Sequence, residues 1–139
     1  MEESINNMKL LMESIERYKL NHSTFDTKEL QEIRDSISLC LFYLSNEYAL
    51  LKHLMDTKEY LKKKKFAQEC ESLRLKSDEI TGKKLTREQI TDKAFLNSTE
   101  ENEQLIDAER DFFEMKLIFD TSNQILNSLS SRINLRKNV

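Results

Sequence analysis

Residues 98–136 read STEENEQLIDAERDFFEMKLIFDTSNQILNSLSSRINLR, and this stretch decides the fold of the chain. Its apolar residues recur at alternating steps of three and four from Leu105 to Ile133. A 3.5-residue repeat of this length keeps one face of a helix against a partner helix in a left-handed supercoil. The predicted seam contains Leu105, Ala108, Phe112, Met115, Phe119, Ser122, Leu126, Leu129 and Ile133.

The composition of the whole chain also favours long helices. Of its 139 residues, 38% are hydrophobic and 34% are charged, a balance typical of helices with wide solvated faces. There is no proline and only one glycine, Gly82, whereas multi-stranded folds need these residues at their turns. The sequence therefore predicts an all-α protein without strands.

A second heptad pattern precedes the first, and the two together predict a long antiparallel helical hairpin that resembles a coiled coil. This second seam contains Leu30, Ile33, Ile37, Leu41, Leu44, Tyr48, Leu51 and Met55. Between residues 38 and 43 the helix is apolar nearly all round, so it needs cover on more than one side. An N-terminal amphipathic helix or a neighbouring subunit would supply the second cover, and the sequence leaves both open.

Helix-capping signals set the expected boundaries within a single domain, residues 1–139. Three pairs have capping-box spacing: Asp26 with Glu29, Thr86 with Gln89, and Ser98 with Glu101. Gly82 can take the left-handed conformation that ends a helix. The predicted elements are an N-terminal helix at 1–22, a long helix at 27–80, a short helix at 86–97 in the bend and a heptad helix at 98–137.

The sequence predicts a cytoplasmic protein. Its longest apolar run, Leu39–Leu44, is far shorter than the roughly 20 residues needed to cross a bilayer. The first residues, Met1–Ser4, are acidic and do not resemble a secretory signal. Two cysteines, Cys40 and Cys70, do not indicate a disulfide framework.

Basic residues concentrate before and at the bend. Residues 52–87 carry eleven Lys or Arg and six Asp or Glu, a local charge of +5 in a chain of net charge −3. Such a cluster gains affinity for a phosphate backbone by releasing counterions. The candidate nucleic-acid-binding residues are Lys58, Lys62, Lys63, Lys64, Lys65, Arg74, Lys76, Lys83 and Lys84. The alternative is a solvated face that pairs with acids at the start of the last helix, namely Glu100, Glu101, Glu103 and Asp107.

Two aromatic residues flank the lysine run and could stack on bases. Tyr60 could face either way, whereas Phe66 fits the apolar seam and is expected in the core. The sequence has no Cys-x-x-Cys pair, no glycine-rich phosphate loop and no nucleophile with a base at helical spacing. We therefore expect no metal, no cofactor and no enzymatic activity.

The last helix has more apolar surface than a two-helix seam requires. We expect a homo-oligomer interface there, with packing by the N-terminal helix as the alternative. The candidate interface residues are Phe112, Phe113, Leu117, Ile118, Ile125 and Leu129.

Over roughly residues 36–137 the chain resembles the UvsY family of phage recombination mediator proteins. The resemblance rests on a long helix that ends in a basic segment, on Thr81–Thr86 (TGKKLT), on Ser98–Glu101 (STEE), and on Asp107–Glu109 (DAE) opening a heptad helix. It implies a ring-forming protein of an infected bacterial host's cytoplasm that binds single-stranded DNA without sequence preference. It also implies contacts with a recombinase and a single-strand-binding protein during homologous recombination, and DNA contacts by Lys62 to Lys65, Arg74, Lys76, Lys83 and Lys84.

A second function is compatible with the same patterns. A coiled-coil interaction module of phage origin, such as an assembly chaperone, scaffold or inhibitor, would use the apolar faces without binding nucleic acid. In that case the lysines are only solvated. Binding of single-stranded DNA separates the two hypotheses.

Overall fold

The computed structural model describes residues 2–21 and 24–137 of the chain. Within these ranges the elements are α1 (Glu2–Asn21), α2 (Thr27–Arg74), α3 (Arg87–Asn97) and α4 (Thr99–Lys137). No β-strand occurs in the described ranges, where an isolated bridge between Ser77 and Lys84 is the β-type pairing found. The prediction of an all-α fold is confirmed. No helix in these ranges has the length and apolarity needed to span a bilayer.

The packing of the helices divides the chain into two compact units, and each long helix contributes a segment to both. Unit 1 contains residues 1–50 and 113–139, and unit 2 contains residues 51–112. Unit 1 therefore has α1, the first half of α2 and about the last two thirds of α4. Unit 2 has the rest of α2, all of α3 and the start of α4.

Unit 1 is built around one apolar cluster to which all three of its helices contribute. The buried members are Leu11, Ile15, Tyr18, Leu30, Ile33, Ile37, Cys40, Leu41, Leu44, Ile125, Leu129 and Ile133. The α2 and α4 members belong largely to the two predicted seams, because a heptad repeat holds one face toward its partner. α1 packs in this cluster through Leu11, Ile15 and Tyr18, and the Tyr18 hydroxyl lies 2.7 Å from that of Ser128. The N-terminal helix therefore covers its own chain.

The pairing of α2 with α4 in unit 1 is antiparallel. Arg136, near the end of α4, donates to the carbonyl oxygen of Phe25, just before α2. Farther along α2, the ring of Tyr48 lies 4.6 Å from the ring of Phe119, measured between centroids. Increasing numbers on one helix thus meet decreasing numbers on the other, as a hairpin requires.

Unit 2 has fewer buried side chains than unit 1, and half of them are alanine or serine. Its buried side chains are Leu73, Ala94, Ser98, Leu105, Ala108 and Phe112. Polar contacts join the helices at its edges: Lys58 donates to Gln104 at 3.1 Å and the Asn97 amide donates to Glu69 at 3.0 Å. These contacts also show antiparallel pairing. The small core agrees with the weakening of the predicted seam beyond Met55.

The long helix ends at Arg74, so the predicted end at residue 80 is wrong. The amides of Leu75 and Lys76 bond to carbonyls three residues back, which tightens the last turn. Asp78 then accepts hydrogen bonds from two successive backbone amides, at 2.8 and 3.2 Å, and this side-chain competition replaces helix with a turn. Gly82 has the predicted left-handed conformation, φ 70°, but it lies inside this turn rather than at the helix end.

The predicted cap of α3 is confirmed and that of α4 is not. Thr86 and Gln89 form a complete capping box at the start of α3. Ser98 was expected to cap α4 through its hydroxyl, but that hydroxyl donates back to the carbonyl oxygen of Ala94 at 2.7 Å. Ser98 is buried in the one-residue junction between α3 and α4, and its hydroxyl is therefore satisfied within α3.

Candidate nucleic-acid interface

The lysine run Lys62 to Lys65 divides between two sides of α2. Successive residues of an α-helix point about 100° apart, so four of them cannot share one face. Lys62 and Lys63 line a cavity of about 320 Å³ together with Phe66, Phe95, Ser98 and Asn102. Lys64 and Lys65 line another, of about 290 Å³, together with Leu61, Gln68, Glu101 and Gln104. The two lysine pairs therefore have different surroundings.

Two of the four lysines have ion-pair partners on their own helix. Lys63 pairs with Glu59 and Lys65 with Glu69, both at 3.1 Å. The Lys63 side chain is 75% exposed, so its pair is well solvated and weak. Hydrogen bonds from Asn97 and then Lys65 lower the pKa of Glu69, which keeps this carboxylate charged beside Lys65.

The described residues show no ion pair for the ammonium groups of Lys62 and Lys64. Neutralisation by acids of the last helix was the alternative expectation. Among the ion pairs of the described ranges, none joins the basic segment to Glu100, Glu101, Glu103 or Asp107. Half of the lysine run is therefore available to an external anion.

Four of the remaining candidate cations lie at the end of α2 and in the turn that follows, and all four are exposed: Arg74, Lys76, Lys83 and Lys84. The fifth, Lys58, lies within α2, where it is half-buried and its ammonium group donates a hydrogen bond to Gln104. The turn is held by the Ser77–Lys84 bridge and by the Asp78 carboxylate. Backbone hydrogen bonds from Ile80 and Thr81 lower the pKa of Asp78. The turn therefore holds the backbone that carries Lys83 and Lys84.

Three neighbouring cavities form a furrow along one side of α2 and α3. The 320 Å³ cavity shares Phe66 and Phe95 with a second, of about 560 Å³, which Thr91, Asp92 and Leu96 also line. The second shares Thr91 with a third, of about 440 Å³, lined also by Cys70, Arg74, Arg87 and Ile90. We call these lining residues the furrow. On α2, positions 62, 66, 70 and 74 are four apart and share one face.

The furrow contains two residues that sequence reasoning missed. Phe95 is 56% exposed on α3, and Arg87 is exposed in the first turn of the same helix. The spacing of 87, 91 and 95 was the available signal, because it places these residues on one helical face. Phe66 was expected in the core, but it is half-buried and lines two cavities. Tyr60 is 63% exposed.

Three of the six candidate interface residues are buried within the chain itself. Phe112, Ile125 and Leu129 are each at most 8% exposed, so they have no surface to offer a second subunit. Ile118 is partly buried and packs against the unit 1 cluster. Phe113 and Leu117 remain exposed, at 54% and 67%.

A different apolar face of unit 1 is uncovered. On the side of α2 away from its buried seam, the exposed apolar residues are Leu39, Phe42, Tyr43 and Leu50, each more than half exposed. The sequence predicts that residues 38–43 are covered on more than one side, but in the structure the outer face of this segment is exposed.

No cluster of three or more His, Cys, Asp or Glu suited to a metal ion occurs in the part of the chain that the structure describes. Comparison of the chain with protein-family models, with curated proteins and with solved structures gives no match. The resemblance to the UvsY family therefore stays a prediction.

Proposed function

We propose that this protein binds single-stranded DNA without sequence preference and acts as a mediator of homologous recombination that assists recombinase loading. The observation that carries the proposal is the set of cations in unit 2 that have no ion-pair partner among the described residues. They include the predicted DNA-binding residues Lys62, Lys64, Arg74, Lys76, Lys83 and Lys84. The sequence resemblance supplies the recombination context.

The mechanism is electrostatic and non-covalent. Ammonium groups that replace the counterions of a phosphate backbone gain affinity by counterion release, and this gain does not depend on base sequence. Lysine lacks the planar fork with which arginine reads a base edge, so a lysine-rich surface positions a strand without reading it. No turnover chemistry is part of the proposal.

Self-association would strengthen a weak site. The exposed apolar residues of unit 1, including Phe42 and Leu117, support a homo-oligomer, which we propose to be a ring. Several copies would gather several segments of charge +5 on one strand, and the combined affinity would exceed that of one copy. The proposed protein partners are a recombinase and a single-strand-binding protein in the cytoplasm of an infected bacterial host.

The deciding experiment measures binding of a fluorescent oligonucleotide against salt concentration. With Lys62 to Lys65 changed to alanine, the slope of log affinity against log salt should fall by about 1.4 to 2.1, because each single-strand phosphate contact contributes about 0.7. A matched control changes four exposed lysines of unit 1, Lys9, Lys19, Lys28 and Lys137, and alters net charge equally. Equal slopes for wild type and the first variant would refute the proposal.

The alternative is a coiled-coil interaction module without nucleic-acid binding. The bare face of Leu39, Phe42 and Tyr43 favours it, since such a face suits any helical partner. The same experiment decides between the two, because an interaction module gives no salt-dependent oligonucleotide binding in either variant or in the wild type.

A further inference from the structure

We infer that the furrow of unit 2 binds a short run of unpaired nucleotides, with a base stacked at Phe66 and Phe95 and phosphates held at the furrow's two cationic ends. This inference rests on the DNA-binding function proposed above and assigns it a site. The site combines α2 residues, of which sequence reasoning singled out only part, with α3 residues that it did not single out.

The middle of the furrow is aromatic. Phe66 and Phe95 line both the 320 Å³ and the 560 Å³ cavity, and Phe95 is 56% exposed although it is a large apolar ring. A nucleobase stacks on such a ring through its flat face, and every base has one, so this contact tolerates any sequence. In a duplex the base faces are already stacked, which makes the contact selective for single strands.

Both ends of the furrow are cationic. Lys62 and Lys63 line one end, and Arg74 with Arg87 lines the other. The described ion pairs include neither arginine. Two guanidinium groups at one cavity suit a phosphate, which they bind with paired hydrogen bonds. Twelve residues of α2 separate the ends, about 18 Å at 1.5 Å per residue. At the 3.4 Å spacing of a stacked strand, that distance covers about five phosphates.

The charges that line the furrow favour a base, and not a phosphate, in its middle. Asp92 lines the central cavity, so a phosphate is disfavoured there and an uncharged base is favoured. The three cavities of the furrow lie within the roughly 300 to 1,000 Å³ typical of small-molecule pockets. Cavities of this size suit single nucleotides rather than a helix. An apolar peptide would gain nothing from cations at both ends.

The test compares Phe95→Leu with Phe95→Tyr in the full chain, using a fluorescent oligothymidine and an abasic strand of equal length. Leucine keeps an apolar side chain at this position and removes the aromatic ring, whereas tyrosine keeps the ring. We expect Phe95→Leu to weaken oligothymidine binding by about 5-fold to 150-fold, which is the contribution of one base–aromatic stack. Binding of the abasic strand and the salt slope should be unchanged, and Phe95→Tyr should bind as the wild type does.

The inference is overturned if Phe95→Leu binds oligothymidine as the wild type does, if it weakens both strands equally, or if Phe95→Tyr is as weak as Phe95→Leu. Circular dichroism checks that the variants remain helical. As a second measurement, Arg74→Ala with Arg87→Ala should lower the salt slope by about 1.4 while preference for the base-bearing strand persists; an unchanged slope also overturns the inference. Failure of the wild type to bind either strand would instead refute the proposed function.

Discussion

The two halves of the lysine run should contribute unequally to DNA binding, although their sequences are identical. Replacing Lys62 and Lys63 by alanine removes two cations from the furrow, where one is unpaired and the other is 75% exposed. Replacing Lys64 and Lys65 removes the same charge from the other side of α2. There Lys65 is already 3.1 Å from Glu69, and Glu101 lines the same cavity.

The expected difference follows from how many phosphates each pair of lysines can neutralise. Without the ammonium groups of Lys62 and Lys63, the slope of log affinity against log salt should fall by about 1.4, at about 0.7 per neutralised single-strand phosphate. Between 50 and 200 mM salt, a slope change of that size alters the ratio of wild-type to variant affinity about 7-fold. For Lys64 and Lys65 the corresponding figures are at most about 0.7 and about 3-fold, because Lys65 is held by a carboxylate.

Fluorescence anisotropy with a short oligothymidine across this salt range measures both slopes. The two double variants have the same net charge, so effects of overall charge cancel in the comparison. Alanine is at least as favourable in a helix as lysine, so helical content should be preserved. Equal slopes for the two variants, or a larger loss in the Lys64 and Lys65 variant, would refute the assignment of Lys62 and Lys63 to the binding side.

Three further outcomes test the core, the turn and self-association. Leu11→Ala should lower the free energy of unfolding by about 2 to 5 kcal/mol, because Leu11 is fully buried. Leu10 is half-exposed, so the control Leu10→Ala should change the free energy of unfolding by less than about 0.5 kcal/mol. Urea titrations measure both. In an NMR pH series, the Asp78 carboxyl should titrate below the ordinary pKa of an aspartate, because backbone hydrogen bonds lower its pKa. The ionised carboxylate therefore stabilises residues 77–84 above the ordinary aspartate pKa, and this stabilisation is lost as the pH falls through the lowered pKa of the folded state. A pKa at or above the ordinary aspartate value would contradict this. Phe42→Glu should reduce the molar mass found by light scattering, since Phe42 is 71% exposed on the bare face of unit 1, and an unchanged mass would contradict its place in an interface.

The seams were predictable because they depend on local periodicity. Leu30, Ile37, Leu129 and Ile133 are all buried as their heptad positions require. Ile125, a candidate interface residue, lies instead in the buried cluster of unit 1. Periodicity tells which residues share a face, but it does not tell whether α1 or another copy covers that face.

The candidate site was only half predictable. The lysine run and the turn around Gly82 are visible as sequence features, and so is the +5 charge. The furrow cannot be seen in the sequence. Phe66 and Phe95 are 29 positions apart, and they line the same cavity only because α3 packs beside α2. The early end of α2 was missed because Asp78 competes for backbone amides that a helix would otherwise use.

By itself, the sequence determined an all-α chain, the buried stripes of its two long helices and the place of its basic residues, because these follow from residue type and from spacing along a helix. The tertiary structure alone decided which lysines face the furrow, which apolar residues stay bare and where α2 stops. Those outcomes depend on which neighbours reach each side chain across space. Contacts between residues that are far apart in the sequence cannot be predicted from the local pattern of residues.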